Sequence, residues 1–151
     1  MSGGLAVAEV LGRFGTEGVT SAYYWTSPAQ WSPAFWAFRA FRNFDEHGAR
    51  FQDWSVRASA IATDATLYAS RDADGRHLVA VLLNVAPESP LAVRVNMASC
   101  GGIATARAFT YVGGDGGFKP SEATPAGPAV SATVPPYSIT VFDVTTPSVT
   151  P

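Results

Sequence analysis

Near residue 55 of this 151-residue chain the hydrophobic period changes, and that change limits the possible folds more than any other feature. Before it, Val7, Val10, Leu11 and Phe14 fall at i, i+3, i+4 and i+7, one stripe of a helix that Gly15 or Gly18 can end. We place that helix at 4–14. Ser32-Pro33 then joins a good N-cap to a proline at the first helical position, and Ala34, Ala37, Phe38 and Phe41 repeat the spacing, which predicts a second helix over 33–43. Between them, Val19–Trp25 is a β-branched and aromatic run closed by Ser27-Pro28, and it reads as a strand with Tyr23 and Trp25 on one face. Helix, strand and helix in this order form a slice of an α/β layer whose strand needs parallel neighbours from elsewhere.

Beyond residue 55 the pattern becomes one of short β-branched runs punctuated by Gly, Pro, Asp and Asn: 66–71, 77–84, 91–96, 104–112 and 138–144. Several such strands predict an antiparallel β-sandwich. Leu67 to Asn84 reads as a hairpin turning at Ala73-Asp74-Gly75, because Asp-Gly tolerates the positive φ of hairpin turns. Gly113–Gly117 and the proline-rich stretch 120–128 read as surface connections, unfit for central strands. Thr145-Thr-Pro-Ser-Val-Thr-Pro151 has the bias of a linker or tail. The expected division is 1–54, 55–144 and 145–151.

The charge pattern excludes some functions. Ten Lys and Arg against twelve Asp and Glu, scattered rather than clustered, argue against nucleic acid or an acidic membrane as partner. No run approaches the ~18 apolar residues of a membrane span. The N-terminus lacks a basic region and carries Glu9 inside its apolar run, so it does not read as a signal peptide. Cys100 is the only cysteine, which leaves no intrachain disulfide and reads as a small apolar side chain.

Signals for a metal, a cofactor or a nucleophile are absent. Asp72-Ala-Asp74-Gly75 resembles the start of a calcium loop, but the glutamate required at loop position twelve would fall on Leu83, so a plain turn is expected. No Lys-Ser/Thr pair follows the glycine cluster, and His47 and His77 are too isolated for zinc, reading instead as surface or hydrogen-bonding residues. What stands out is aromatic: Trp25 at the carboxyl end of the expected strand, with Tyr23, Trp31 and Trp36 nearby. Such rings can stack on the apolar face of a sugar or simply fill a core, and both readings fit the residues.

Three segments carry a family resemblance: Val10-Leu-Gly-Arg-Phe-Gly-Thr-Glu-Gly-Val19, Ala37-Phe-Arg-Ala-Phe-Arg-Asn-Phe-Asp45 and Gly48-Ala-Arg-Phe-Gln-Asp-Trp-Ser-Val56. In order and spacing they resemble the end of glycoside hydrolase family 44, and Val134-Pro-Pro-Tyr-Ser-Ile-Thr-Val-Phe142 is similar to the last sandwich strand of several barrel-and-sandwich glycosidases. The resemblance implies an α+β fragment: the last helix, strand and helix of a TIM barrel (helix 7, strand 8, helix 8), then an antiparallel β-sandwich. It implies a parent that is a retaining endo-β-1,4-glucanase acting extracellularly on cellulose, xyloglucan or a related β-glucan polysaccharide, through two carboxyl groups about 5 to 5.5 Å apart. The resemblance puts the two glutamates at the ends of the fourth and seventh barrel strands, so neither falls in this chain, and Glu9 and Glu17 belong to the helix before the expected strand and to its exit. Trp25 looks like the sugar platform at the end of the eighth strand, and Tyr23 and Trp31 are the further substrate-binding candidates. No catalytic residue, metal ligand or cofactor is expected. The chain should pack against barrel residues it lacks and leave a sandwich edge open where N-terminal strands of the parent belong. The alternative is a non-catalytic carbohydrate-binding or structural β-sandwich.

Overall fold

The computed structural model describes residues 1–97 and 102–147. Two helices, α1 (Ser2–Thr16) and α2 (Pro33–Phe41), precede nine strands: β1 (Trp54–Val56), β2 (Ala65–Arg71), β3 (His77–Asn84), β4 (Leu91–Asn96), β5 (Thr105–Tyr111), β6 (Lys119–Ser121), β7 (Thr124–Ala126), β8 (Ala129–Val134) and β9 (Ser138–Thr145). Six strands form one antiparallel sheet in the order β1-β2-β3-β9-β5-β6, and three form a second in the order β4-β8-β7.

The result is three layers. Alternate residues of the large sheet point to opposite sides, and both sides are apolar in the middle strands. Val79, Val81, Leu83, Ile139, Val141 and Tyr111 meet Leu5, Ala8, Trp36, Ala37, Ala40 and Phe41 of the helices. On the other side Leu78, Ala80, Leu82, Ala108, Phe142 and Val144 meet Val95, Val130 and Val134 of the small sheet. Central β3 and β9 are therefore buried almost end to end, and Leu82 pairs with Thr140 across them. Residues from both sides of position 55 build the helix-facing core.

Each helix has a local cause. In α1, Gly4, Leu5, Ala8 and Gly12 are buried, so small residues at four-residue spacing let the helix lie close to its neighbours. A Cβ on Gly12 would stand 2.2 Å from Cδ2 of Tyr68. The helix ends one residue beyond Gly15, and Gly18 at φ +68° turns the chain out. In α2, the Ser32 hydroxyl accepts from Phe35 N at 3.3 Å and Pro33 opens the helix. It stops at Phe41, earlier than the spacing predicts, because Asn43 takes φ +123° and leads into the loop 43–53.

The hairpin turns where expected. Asp72 N donates to His77 O at 3.0 Å, Gly75 adopts φ +68°, and the Asp72 carboxylate accepts from Arg76 N and His77 N. This is a turn and not an ion loop.

One element differs from the sequence reading. Val19–Trp25 forms no strand among the described residues, and Trp25 lies in a bend. A β-strand exists only by pairing its backbone, and the large sheet is already complete without this run. β1, β6, β7 and β8 were not expected. β6 and β7 fall within or beside the proline-rich stretch and are the last strands of their sheets, where Pro120 and Pro125 interrupt no onward ladder. Cys100 and the end of the tail, 148–151, lie outside the described residues.

Candidate functional site

Tyr23 and Trp25 are nearly free of the protein, 96% and 93% exposed. Tyr24, between them, meets Phe38 of α2 edge to face, with ring centroids 5.4 Å apart. Between the run and α1 lies a groove of about 500 Å³ lined by Val7, Val10, Leu11, Phe14, Val19 and Tyr24. Its walls are apolar, and Val10, Val19 and Tyr24 are exposed there.

Trp31 stands apart from this pair. It precedes the N-cap Ser32 and its ring lies 5.5 Å from that of Trp36, the fourth residue of α2, so it staples the helix start. Trp31 holds φ +65°, a left-handed conformation that costs a bulky residue energy, and about half of its surface remains exposed. Trp36 is core: it is 3% exposed and packs on Trp31, Phe35, Tyr111 and Phe118. Thus two of the three expected sugar-binding residues are displayed, and the third divides its surface between a structural contact and solvent.

The carboxylates are engaged elsewhere. Glu9 accepts from Thr66 Oγ1 at 2.7 Å and from Arg13 Nε at 2.8 Å, so α1 is tied to β2. Partial burial raises its proton affinity, but hydrogen bonds from Thr66 and Arg13 outweigh that and leave the pKa below the usual glutamate range. Burial, reinforced by Glu9, pushes the neighbouring Tyr68 hydroxyl up to about 12. Glu17 caps the end of α1.

A second polar cluster closes the end of the helix-facing core. His77 Nε2 meets Asp143 Oδ1 at 2.5 Å, Gln52 Nε2 lies 3.3 Å from His77 Nδ1, and Arg107 donates through Nε and Nη2 to Asp143 Oδ2. Arg107 also faces Asp45, 3.7 Å away. Asp45 in turn accepts from His47 N and Ala49 N at 2.9 Å. Burial pushes the Asp45 pKa up, and those two backbone donors with Arg107 pull it below the ordinary range. With both oxygens of Asp143 engaged by His77 and Arg107, this cluster holds the loop 43–53 on the sheet. The histidine expected to be a surface or hydrogen-bonding residue is hydrogen-bonded, and Asp143 is the residue overlooked. A lone acid inside the apolar run Ser138–Val144 is a signal that a buried partner exists. Among the described residues no group of three His, Cys, Asp or Glu could hold a metal ion.

Comparison with known proteins bears on this arrangement. No protein-family model matches the chain. It is 32% identical over 101 residues to the beta-mannanase/endoglucanase A of Caldicellulosiruptor saccharolyticus, a match that spans 66% of this chain and 7% of that protein. It is 32% identical over 93 residues to the endoglucanase A of Paenibacillus lautus, spanning 60% of this chain and 13% of that protein. Its structure superposes on that of a Paenibacillus polymyxa xyloglucanase from glycoside hydrolase family 44 with a TM-score of 0.87 and 24% identity, covering 97% of this chain and 30% of the xyloglucanase. The fold is that of the C-terminal portion of family 44 enzymes.

The chain thus spans only a minor part of each relative it matches. In the family 44 fold seen here, the helices and sandwich share one core, and the side of the helices away from the sheet carries the apolar groove with Tyr23 and Trp25 beside it. No helix among the described residues is long and apolar enough to cross a membrane.

Proposed function

We propose that this chain is the C-terminal part of an endo-β-1,4-glucanase-type glycoside hydrolase that degrades plant cell-wall polysaccharide outside the cell. In this reading α1, Val19–Trp25 and α2 are helix 7, strand 8 and helix 8 of a TIM barrel, and the sandwich braces it. The observation that carries the reading is the state of Val19–Trp25. A strand-like sequence joins no sheet and lies between helices whose far sides are packed on the sheet, with Tyr23 and Trp25 bare in solvent. Residues of a longer polypeptide would pair with its backbone and fill the groove of about 500 Å³ along α1.

The role of each aromatic follows. Trp25, at the carboxyl end of the run, offers a flat ring to the apolar face of a glucosyl unit, where barrel sites form. Tyr23 would lie two residues deeper on the same side, and Trp31 at the entrance to α2. Both carboxylates of a retaining mechanism would come from outside this chain, as the family resemblance implies, and Glu9, Asp45 and Asp143 are engaged by Thr66, by backbone amides and by Arg107 and His77. The 151 residues alone should therefore be inactive.

The test is hydrolysis of soluble β-glucan by the purified chain and by the protein expressed from the complete reading frame. The reading expects activity only in the second, and there Trp25→Ala should raise KM at least tenfold. Turnover by the chain alone, or a longer protein in which Trp25→Ala leaves KM unchanged, would defeat the corresponding assignment.

A further inference from the structure

Two buried polar atoms have no hydrogen-bond partner among the described residues, Trp36 Nε1 and Arg39 Nε. They are one turn apart on α2. The Arg39 guanidinium lies 5.9 Å from the centroids of both the Phe35 and the Trp36 rings, folded back on the helix. Cation–π attraction stabilises that position, but a ring face gives Nε–H no in-plane acceptor, and the indole N–H is buried with none either.

Five of the other eight arginines reach oxygen. Arg13 pairs with Glu9, Arg50 with Asp53 and Arg107 with Asp143, Arg71 donates to the carbonyls of Asp72 and Ala73, and Arg94 to that of Ala126. Arg39 is partly buried, and no ion pair is found for it among the described residues. Its guanidinium stands against the Phe35 and Trp36 rings, and Phe35 also lines an apolar groove of about 520 Å³ with Tyr24, Pro28 and Phe38. A fixed positive charge placed in an apolar wall selects an anion, and the planar fork of a guanidinium selects a carboxylate over a single acceptor.

We propose that the outer face of α2 seats an aspartate or glutamate from the part of the longer polypeptide outside these 151 residues, and that its carboxylate draws Arg39 off the Trp36 ring into an ion pair. The occupant rests on the reading above, in which a longer protein exists; this chain matches only 30% of the solved xyloglucanase. Seating the carboxylate gives the orphaned Arg39 Nε an acceptor.

The test compares Arg39→Met with Arg39→Lys in two backgrounds, the 151-residue chain and the protein from the complete reading frame. Arg39→Met should lower the melting temperature of the longer protein by several degrees, with partial recovery in Arg39→Lys, and should leave that of the short chain unchanged or higher. Equal shifts in the two backgrounds overturn the proposal, and so does a gene whose frame opens at Met1. A crystal structure of the longer protein decides independently of the variants. A carboxylate oxygen within about 4 Å of the guanidinium supports the pair, and a guanidinium facing solvent refutes it. An inactive longer protein still destabilised by Arg39→Met would remove the glycosidase reading and keep the pair. An active one indifferent to the substitution would do the reverse.

Discussion

Asp143 is the side chain on which the end of the helix-facing core depends. It is 3% exposed, in a strand otherwise filled by Ile139, Val141, Phe142 and Val144, and it is bound by His77 and Arg107. Removing one member of a buried charged set leaves the others desolvated, at a cost of roughly 3–5 kcal/mol when all are buried. Arg107 is half exposed and can turn to water, so Asp143→Ala should cost less, about 2 kcal/mol, read as a lower urea midpoint at constant slope. The pH response has a definite sign. Asp45 and Glu9 have pKa values below their ordinary ranges despite burial, and Asp72 is lowered chiefly by the backbone N–H of His77. A carboxylate whose folded pKa is depressed contributes stability that is present above its unfolded value, about 4, and is lost as pH falls through the folded one. Urea midpoints should therefore hold from neutrality down to roughly pH 4–5 and fall below it. A midpoint that rises on acidification would contradict the network.

At the scale of elements, α1 is held by small residues, and that gives a substitution with an unusual sign. Alanine normally favours a helix over glycine by roughly 1 kcal/mol. At Gly12 the added Cβ would enter the Tyr68 ring, with Cγ at 2.3 Å and Cδ2 at 2.2 Å. The ring is buried under the helix and cannot step aside, so Gly12→Ala should destabilise by about 1–3 kcal/mol, while Gly3→Ala, with nothing within 4 Å, should be neutral or favourable. Thermal melts of the two variants check this directly. The same elements show how far sequence carried. The helices and the strands at 65–71, 77–84, 91–96, 105–111 and 138–145 were legible because their apolar residues keep one period and their boundaries carry Ser-Pro, Asp-Gly or Pro-Pro. β8 was not, since Ala129-Val-Ser-Ala-Thr-Val134 has small residues that become a strand only when Val130 and Val134 find the opposite sheet. Val19–Trp25 failed the other way: its composition suits a strand, but pairing is a property of neighbours, and none is available to it. For the candidate site, the exposed Tyr23 and Trp25 were legible as types, whereas the stapling of Trp31 on Trp36 depends on a backbone turn at φ +65° that composition does not encode.

For the whole molecule, two surfaces compete to decide how the isolated chain behaves in solution. One is the aromatic side, where Val10, Val19, Tyr23, Tyr24 and Trp25 are exposed around the groove along α1. The other is β4, an end strand of the small sheet, paired with β8 on one side only. Beside it runs a groove of about 620 Å³ floored by Leu67 and Leu82 and walled by the segment 57–62, in which Ile61 is wholly exposed. Apolar patches of this kind drive association, and an open strand edge adds a template for pairing. The aromatic side should dominate, because its rings are the larger apolar surfaces. The chain alone should therefore self-associate between micromolar and millimolar concentration in sedimentation velocity runs, and Tyr23→Ser with Trp25→Ser should shift it to monomer without lowering its melting temperature, since neither ring packs on the core. A lysine at Val93, whose side chain points toward the sheet core, would instead cost stability. If the double serine variant still associates and Ala92→Pro abolishes it, the sheet edge is the dominant surface, and the exposed rings are displayed at no cost to solubility.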